Sequence, residues 1–307
     1  MGILRIVIYG FGRMGKNLAL NALEKGHEVF GFDIDQSIKE NLNQDKIFLS
    51  DSFRWFTSSE SLFYEIEQGD VIFLFVPPGE VTDQVLALLL NNLPTASIVI
   101  EGGNSHFEKA KQWSLKFESK GIHFLDMGTS GGLSGARNGL CAMVGGSKKV
   151  FDQVQPVLSS LCSLDGLLYT GEAGSGHFLK MVHNGIEYGM MQSIAEGFEL
   201  LEKSEFHFDY HEVAKTWNNG SVIRSWLMEL LVDAFKNEDR LENVSSKMHA
   251  SGEVKWLIEE SIKLQSPMPV TYLSLMMRNR SLEEETFSGK IVSALRNSFG
   301  GHNVSKG

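Results

Sequence analysis

One segment of the sequence places five side chains that can move protons or form hydrogen bonds at the spacing of a helix. Between Gly176 and Gln192 they fall at i, i+3, i+4, i+7 and i+8: Lys180, His183, Asn184, Glu187 and Tyr188. That spacing puts all five on one helix face. A lysine and a glutamate two turns apart can act as general base and general acid, because burial and neighbouring charge move a lysine pKa towards the working pH. The alternative is a solvated polar face with an incidental lysine, although uniform charge would fit that alternative better.

Two further groups of polar and glycine residues follow apolar segments. Ser130, Gly131 and Gly132 can hold a carboxylate or a phosphate through the serine hydroxyl and the glycine N–H groups. Asn104 follows an apolar segment that ends at Glu101, and it can contact a nicotinamide or a substrate. Open α/β sheets bind ligands at the carboxyl ends of their strands, so both groups are candidates for one site. A flexible loop and an ordinary turn are the alternatives.

The N-terminal segment carries a glycine fingerprint between an apolar strand and a helix. It consists of Gly10, Phe11, Gly12, Arg13, Met14 and Gly15. The first glycine permits a tight turn, the second lets the backbone approach a pyrophosphate, and the third allows close helix packing. Asp33 lies about 20 residues further on, where an acid accepts hydrogen bonds from a ribose 2′-hydroxyl. The alternative is a glycine turn with a helix-capping aspartate.

Asp33 also bears on the choice of cofactor. A 2′-phosphate placed beside this carboxylate would meet a like charge without compensation, and the segment Asp33–Gln36 contains no arginine. We therefore predict NAD as the cofactor, with NADP less favoured.

These candidate residues require particular elements to position them. Apolar segments bounded by glycine or proline predict six strands: Ile3–Tyr9, His27–Asp33, Val71–Val76, Ser97–Glu101, His123–Met127 and Leu140–Val144. Helical patterns between them predict an α/β fold with a Rossmann-type, doubly wound, mainly parallel sheet. From about Gly176 onward the periodicity is helical only. We therefore predict a dinucleotide-binding domain over residues 1–175 and an all-α domain over residues 176–307.

The composition argues against several classes of function. The 307 residues include 28 Lys and Arg against 38 Asp and Glu, a formal charge of −10, and so acidic a chain repels nucleic acid. Two cysteines build no disulfide framework, which favours a reducing, cytoplasmic location. No apolar run approaches the roughly 18 residues of a membrane span. The N-terminus lacks the pattern of a signal peptide, and no His/Cys cluster has metal-ligand spacing.

Six segments together resemble 6-phosphogluconate dehydrogenase, the decarboxylating family of the pentose phosphate pathway. They are Gly10–Gly15, Glu101–Ser105, Gly128–Gly146, Gly174–Gln192, Trp217–Trp226 and Arg296–His302. The length resembles the short-chain, mainly bacterial branch, which generally prefers NAD. The resemblance implies oxidative decarboxylation of 6-phosphogluconate to ribulose 5-phosphate and CO2. It also implies a homodimer or homotetramer in which the helical domain binds substrate and forms the contacts between subunits.

The resemblance implies roles for individual residues. Lys180 matches the general base that takes the proton of the C3 hydroxyl, and Glu187 matches the acid that protonates the resulting enediol. Arg278 falls on an arginine that binds the substrate phosphate. Positions that contact substrate in the family are matched by Asn104, Ser130, Gly131, Gly132, His183, Asn184, Tyr188, Arg278, Arg296 and His302.

The resemblance is less complete at the positions that bind the cofactor and the substrate phosphate. Val76 and Asn104 match cofactor contacts, together with the glycine turn and Asp33. Members that use NADP tend to place a lysine where Pro77 stands, so this position also resembles the NAD users. Ser251 is a departure, because long-branch members have a phosphate-binding lysine there. Phosphate binding would then rest on Tyr188, Arg278 and Arg296.

Two other functions remain open from the sequence. One is a β-hydroxyacid dehydrogenase of the related superfamily that acts on a small 3-hydroxy acid, which would need fewer cations than Arg278 and the Arg296–His302 segment supply. The other is a catalytically silent NAD-binding regulatory protein, against which the presence of Lys180 and Glu187 argues.

Overall fold

A computed structural model describes residues 5–42, 45–238, 240–283 and 285–304. Contacts divide the chain into two compact units, Met1–Lys180 and Met181–Gly307. Helix α8 (Ser175–Glu202) contributes residues to both units. Residues 3 and 4, which begin the first predicted strand, lie outside the described residues. The predicted division after residue 175 stays a prediction.

The first unit is built on one sheet, which has eight strands over the described ranges. They are β1 (Arg5–Tyr9), β2 (Glu28–Phe32), β3 (Phe53–Trp55), β4 (Val71–Leu74), β5 (Ile98–Glu101), β6 (His123–Ser130), β7 (Leu140–Gly146) and β8 (Cys162–Gly171). Their order across the sheet is β3-β2-β1-β4-β5-β6-β7-β8. All neighbouring strands are parallel except β6 and β7, which are antiparallel. The predicted Rossmann-type, mainly parallel sheet is confirmed.

Helices cover both faces of this sheet. They are α1 (Arg13–Glu24), α2 (Ile38–Leu42), α3 (Ser59–Glu65), α4 (Glu80–Asn92), α5 (Phe107–Glu118), α6 (Gly132–Asn138) and α7 (Lys148–Leu161). Successive residues of a strand point to opposite faces, so Ile6 and Ile8 join one buried cluster while Val7 and Tyr9 join another. Burial on both faces explains why these strands appear in the sequence as uninterrupted apolar runs.

The strand register aligns the ends of the central strands. In neighbouring strands, Phe32 pairs with Tyr9, Tyr9 with Leu74, Leu74 with Glu101, and Glu101 with Asp126. The glycine turn after β1, the aspartate after β2 and the asparagine turn after β5 therefore leave the sheet at one edge. This is the edge at which open parallel sheets bind ligands.

Two strands were not predicted from the sequence. Strand β3 has three residues and pairs only with β2 among the described strands. Strand β8 is largely exposed or half-buried along its length, with Asp165 and Gly166 in its middle. Neither segment carries the apolar run or the alternation that predicts a strand.

Over its described residues, the second unit is built from helices joined by loops. After α8 come α9 (Tyr210–Asn218), α10 (Trp226–Asn237), α11 (Gly252–Lys263), α12 (Pro269–Arg280) and α13 (Phe287–Gly300). Their core includes the rings of Phe198, Tyr210 and Phe235, whose centroids lie 5.2 to 5.8 Å apart. The predicted all-α C-terminal domain is confirmed. Over the described ranges, none of the helices combines the length and the apolar character that crossing a bilayer requires.

Candidate active site

The glycine turn after β1 depends on the absence of side chains. Gly10 has a φ of +96°, and a Cβ there would lie 2.2 Å from the carbonyl oxygen of Phe75. A Cβ on Gly15 would lie 2.0 Å from the carbonyl oxygen of Gly10. Gly12 is the N-cap residue of α1, and a Cβ there would meet none of the described atoms within 4 Å. The backbone at the start of α1 is thus open to a ligand, as a pyrophosphate requires.

Asp33 lies directly beside this turn. Its Oδ2 accepts a hydrogen bond from the Phe11 N–H at 2.6 Å, and its Oδ1 accepts one from the Asp35 N–H at 2.9 Å. The Phe11 ring is buried, and it packs against Trp55 with a centroid distance of 5.3 Å. Arg13 is exposed and Met14 is half-buried. A half-buried carboxylate at the end of β2 fits a ribose hydroxyl and opposes a 2′-phosphate.

Asn104 holds an unsatisfied amide at the same edge. It has a φ of +58°, and its buried Oδ1 has no hydrogen-bond partner among the described residues. The same is true of the buried Ser105 hydroxyl. Val76 is close by, since a Cβ on Gly103 would lie 2.8 Å from the Val76 carbonyl oxygen. An unpartnered buried amide is costly, so a ligand that bonds Asn104 would recover that cost. The turn, Asp33 and Asn104 together fit a dinucleotide cofactor.

Lys180 is buried where α8 packs directly on β6. A Cβ on Gly128 would lie only 2.3 Å from the Lys180 Cβ, and one on Gly176 would lie 2.7 Å from the Asp126 carbonyl oxygen. Only glycines allow the helix so close to the strand. Lys180 is 6% exposed, so its amine lies in a largely water-free environment. Met181 is also buried, which gives this turn of α8 a polar and an apolar buried side.

The serine–glycine segment is ordered as a strand end and a helix start. Ser130 ends β6, Gly131 caps α6 with a φ of +102°, and Gly132 begins α6 with a φ of +56°. All three are half-buried. Their predicted roles as substrate contacts stay predictions.

Three buried residues that were not predicted from the sequence hold the start of α8. The Asp126 carboxylate accepts the Gly174 N–H at 2.6 Å and the His177 N–H at 2.9 Å. The Nε2 atom of His177 lies 2.5 Å from Oε2 of Glu101. A signal existed in the sequence, since an acid stands within or at the end of two apolar strands. The partners of these acids lie 48 to 76 residues away, which local spacing does not reveal.

The second half of the polar stripe belongs to the second unit. His183 lies 3.8 Å from a carboxylate oxygen of Glu187 and 3.2 Å from the amide oxygen of Asn184. Asn184 is buried, whereas the side chains of His183 and Glu187 are 37% and 22% exposed. Lys180 and these residues share helix α8, as their spacing predicts. Their chemical roles stay predictions.

A buried arginine, Arg278, and a half-buried one, Arg296, lie near Tyr188. The guanidinium carbon of Arg278 lies 3.3 Å from the Tyr188 ring centroid, and the Tyr188 hydroxyl lies 3.1 Å from the Ser251 hydroxyl. Burial lowers the pKa of Arg278 to about 10, with the charge of Arg296 adding to the effect, and burial also lowers the pKa of Arg296. Within the described residues neither arginine forms an ion pair with a carboxylate. Two such cations can bind an anion with little competition.

His302 follows the end of helix α13. It is exposed, and its ring lies 6.5 Å from that of Phe299 by centroid. The carbonyl oxygen of His302 accepts a hydrogen bond from Asn297. Its predicted contact with substrate stays a prediction. In the part of the chain that the structure describes, no group of three His, Cys, Asp or Glu residues could hold a metal ion.

Family models match both units. The NAD binding domain of 6-phosphogluconate dehydrogenase matches residues 5–171, and the C-terminal domain of 6-phosphogluconate dehydrogenase matches residues 176–284 and 202–306. The chain belongs to the 6-phosphogluconate dehydrogenase family. It is therefore an oxidoreductase of that family, and its first domain binds a nicotinamide dinucleotide.

Relatives in the 6-phosphogluconate dehydrogenase family match along the full chain. "Putative 6-phosphogluconate dehydrogenase YqeC" of Bacillus subtilis is 44% identical and covers 99% of this chain and 100% of the relative. The NAD(+)-dependent, decarboxylating 6-phosphogluconate dehydrogenase of Haloferax volcanii is 37% identical, with 99% of each chain covered.

Solved structures share the fold. The 6-phosphogluconate dehydrogenase of Plasmodium falciparum superposes with a TM-score of 0.82 at 29% identity. The match covers 91% of this chain and 62% of the Plasmodium chain. A 3-hydroxyisobutyrate dehydrogenase of Mycobacterium tuberculosis gives a TM-score of 0.72 at 21% identity, which shows a common fold.

Proposed function

We propose that this protein oxidises and decarboxylates 6-phosphogluconate to ribulose 5-phosphate and CO2, with NAD as the hydride acceptor. The observation that carries the proposal is the pair of arginines near Tyr188, of which Arg278 is buried and Arg296 is half-buried. A substrate phosphate supplies two negative charges and several acceptor oxygens, which match two guanidinium groups that lack carboxylate partners within the described residues. A small unphosphorylated hydroxy acid has no second anionic group for such a site.

Lys180 is the proposed general base and Glu187 the proposed general acid. In its neutral form, Lys180 accepts the proton of the substrate C3 hydroxyl. A nicotinamide cofactor held by the glycine turn, Asp33 and Asn104 would supply the acceptor for the hydride that leaves C3. The resulting β-keto acid loses CO2 as its C1–C2 bond breaks, because the C3 carbonyl accepts the electron pair. The protonated Lys180 then stabilises the developing enolate oxygen, and Glu187 protonates the carbon that becomes C1 of ribulose 5-phosphate.

The remaining proposed contacts come from several segments of the chain. Asn104 orients nicotinamide or substrate with its unpartnered amide oxygen. Ser130, Gly131 and Gly132 hold the sugar acid near the end of β6. His183, Asn184 and Tyr188 extend the polar stripe of α8 towards the phosphate ligands. Arg296 and His302 complete the proposed list of substrate contacts.

We propose NAD rather than NADP as the preferred cofactor. Asp33 supports this preference, because its carboxylate lies beside the glycine turn and repels a 2′-phosphate. The Haloferax relative, which is named as NAD(+)-dependent, is consistent with it.

We also propose that residues 176–307 form the substrate-binding and oligomerisation domain of a homodimer or homotetramer. Large apolar side chains are exposed on two helices of the second unit, with Ile186 58% exposed on α8 and Leu273 60% exposed on α12. Light scattering after size exclusion measures the assembly directly. A monomer at micromolar concentration would contradict this part of the proposal.

The choice of substrate is tested by comparing kcat/KM for 6-phosphogluconate and for 3-hydroxyisobutyrate with the purified protein. We expect NADH formation with the phosphorylated substrate and little with the other. Turnover of 3-hydroxyisobutyrate alone would instead make the protein a simple β-hydroxyacid dehydrogenase. In the same assay, Lys180→Ala is expected to lower kcat at least ~100-fold, which is the scale of general acid–base catalysis. Near-normal turnover in that variant would remove Lys180 from the mechanism.

A further inference from the structure

We propose that the buried Glu101–His177 pair is a positioning device that fixes Lys180 and the Asn104 turn through one carboxylate. The inference rests on the proposed roles of Lys180 and Asn104. It assigns a function to two residues that act through their neighbours and not on the reacting atoms.

The two carboxyl oxygens of Glu101 form hydrogen bonds with two different segments of the chain. Oε2 lies 2.5 Å from Nε2 of His177 on helix α8, and Oε1 accepts the Gly103 N–H at 2.7 Å. Both side chains of the pair are 1% exposed. The Nε2–Oε2 distance is that of a hydrogen bond between the imidazole and the carboxyl group. Hydrogen bonds in so dry an environment are strengthened by the low dielectric. One side chain therefore connects the turn that presents Asn104 to the helix that presents Lys180.

Because His177 lies on the same helix as Lys180, its bond to Glu101 can fix the position of Lys180. The two residues are three apart on α8 and so lie on the same helix face. Asp126 already holds the backbone at the start of α8, through the N–H groups of Gly174 and His177. A backbone contact at the end of a helix restrains its translation more than its rotation. The Glu101–His177 bond attaches a side chain, and so it restrains rotation of α8 about its own axis.

Small rotations matter at this distance from the axis. A rotation of about 20° displaces an atom about 6 Å from the axis by about 2 Å. Misplacement of a catalytic group by about 1 Å can cost on the order of 100-fold in rate. Packing alone would not require a polar pair here, because well-packed apolar side chains fill buried positions at no greater cost. The pair is better explained by the position it imposes.

The test compares three single variants. Glu101→Leu removes both bonds at similar volume, whereas Glu101→Gln can accept the Gly103 N–H with its amide oxygen and donate its NH2 to His177 Nε2. The matched control is His27→Leu in the same unit, since His27 is also buried and its Nε2 lies 2.9 Å from the Ser160 hydroxyl. For each folded variant, kcat, the KM for NAD and the urea midpoint are measured.

A second readout needs no substrate. Acetic anhydride acylates unprotonated amines, and peptide mass spectrometry gives the acylation rate of Lys180 relative to the exposed Lys149. Because Lys180 is buried, its rate reports how firmly α8 lies against β6. This readout stays informative even if the wild-type protein fails to oxidise 6-phosphogluconate, so failure of the proposed function and failure of this inference are distinguishable.

We expect Glu101→Leu to lower kcat at least ~30-fold, within the range expected for a misplaced group, and to raise Lys180 acylation several-fold. Glu101→Gln should recover kcat to within about 5-fold of wild type, since its amide oxygen accepts the Gly103 N–H and its NH2 donates to Nε2 of the His177 tautomer that is protonated at Nδ1. His27→Leu should change the urea midpoint only. If Glu101→Leu does not fold, the double variant Glu101→Leu/His177→Leu removes both side chains of the pair, so that neither is left unsatisfied, and answers the same question. A folded Leu variant with wild-type kcat and wild-type Lys180 acylation would overturn the inference.

Discussion

Replacement of Gly128 by alanine would test how close helix α8 must lie to strand β6. A Cβ at this position would lie 2.3 Å from the Cβ of Lys180 and 2.7 Å from the carbonyl oxygen of Gly176. Carbon atoms in contact are about 3.5–4.0 Å apart, so the first turn of α8 must move away by roughly 1 Å or more. Neither obstructing atom is the end of a flexible side chain, so a rotamer change cannot relieve the clash.

The size of the effect follows from this displacement. Insertion of a methyl group into a packed interior costs about 1–3 kcal/mol, which lowers the Tm of a unit of this size by roughly 2–12 °C. A displacement of about 1 Å at the proposed base lowers kcat on the order of 100-fold. The Kd for NADH should change little, because the glycine turn after β1 is formed by other residues.

The assay combines kcat, the NADH Kd from fluorescence, and Tm from circular dichroism. Gly197→Ala is the matched control, since Gly197 also lies in α8 and an added Cβ would meet none of the described atoms within 4 Å. That variant should gain about 0.5–1 kcal/mol of stability and keep its activity. A Gly128→Ala variant that folds and retains wild-type kcat would refute the claim that Lys180 must lie where β6 holds it.

Three further predictions concern other parts of the molecule. Arg278→Met should raise the KM for 6-phosphogluconate about 10–100-fold through loss of a charge-assisted bond, and an unchanged KM would contradict its phosphate role. The free energy of unfolding from urea titration should stay equal or rise, because an unpaired buried charge is removed. Asp33→Ser should shift the NADP/NAD ratio of kcat/KM towards NADP by at least ~10-fold through loss of a like charge, and a constant ratio in initial-rate assays would count against Asp33. Burial raises the pKa of Cys162 to about 12, so at pH 8 iodoacetamide should modify the exposed Cys141 and spare Cys162, whereas equal rates by mass spectrometry would contradict the structure.

The central sheet could be predicted from the sequence because its signals are local. Strands such as Val71–Leu74 are uninterrupted apolar runs, and burial on both faces produces that pattern directly. Strand ends were less predictable, since the strand predicted to reach Val76 ends at Leu74. Strands β3 and β8 could not be predicted, because their sequences carry no local signal for a strand. Their neighbours in the sheet, and not their own composition, make them strands.

The candidate site, like the sheet, could be predicted only in part. The spacing of Lys180, His183 and Glu187 places them on one face of a helix, and the structure has that helix. The bonds that hold the helix could not be predicted, because Glu101 and Asp126 bond residues far along the chain. Only the fold brings an acid at the end of one strand against a helix that begins 74 residues later. Local patterns therefore indicate which side chains could react, whereas long-range contacts decide where they are held.

Oxidative decarboxylation is the central claim, and product stoichiometry tests it most directly. The purified protein would be incubated with NAD and 6-phosphogluconate labelled with ¹³C at C1, and the NADH and labelled CO2 formed would be quantified together. We predict equal molar amounts of NADH and ¹³CO2, with ribulose 5-phosphate as the remaining product. NADH formation without labelled CO2, or no reaction with this substrate, would contradict the account.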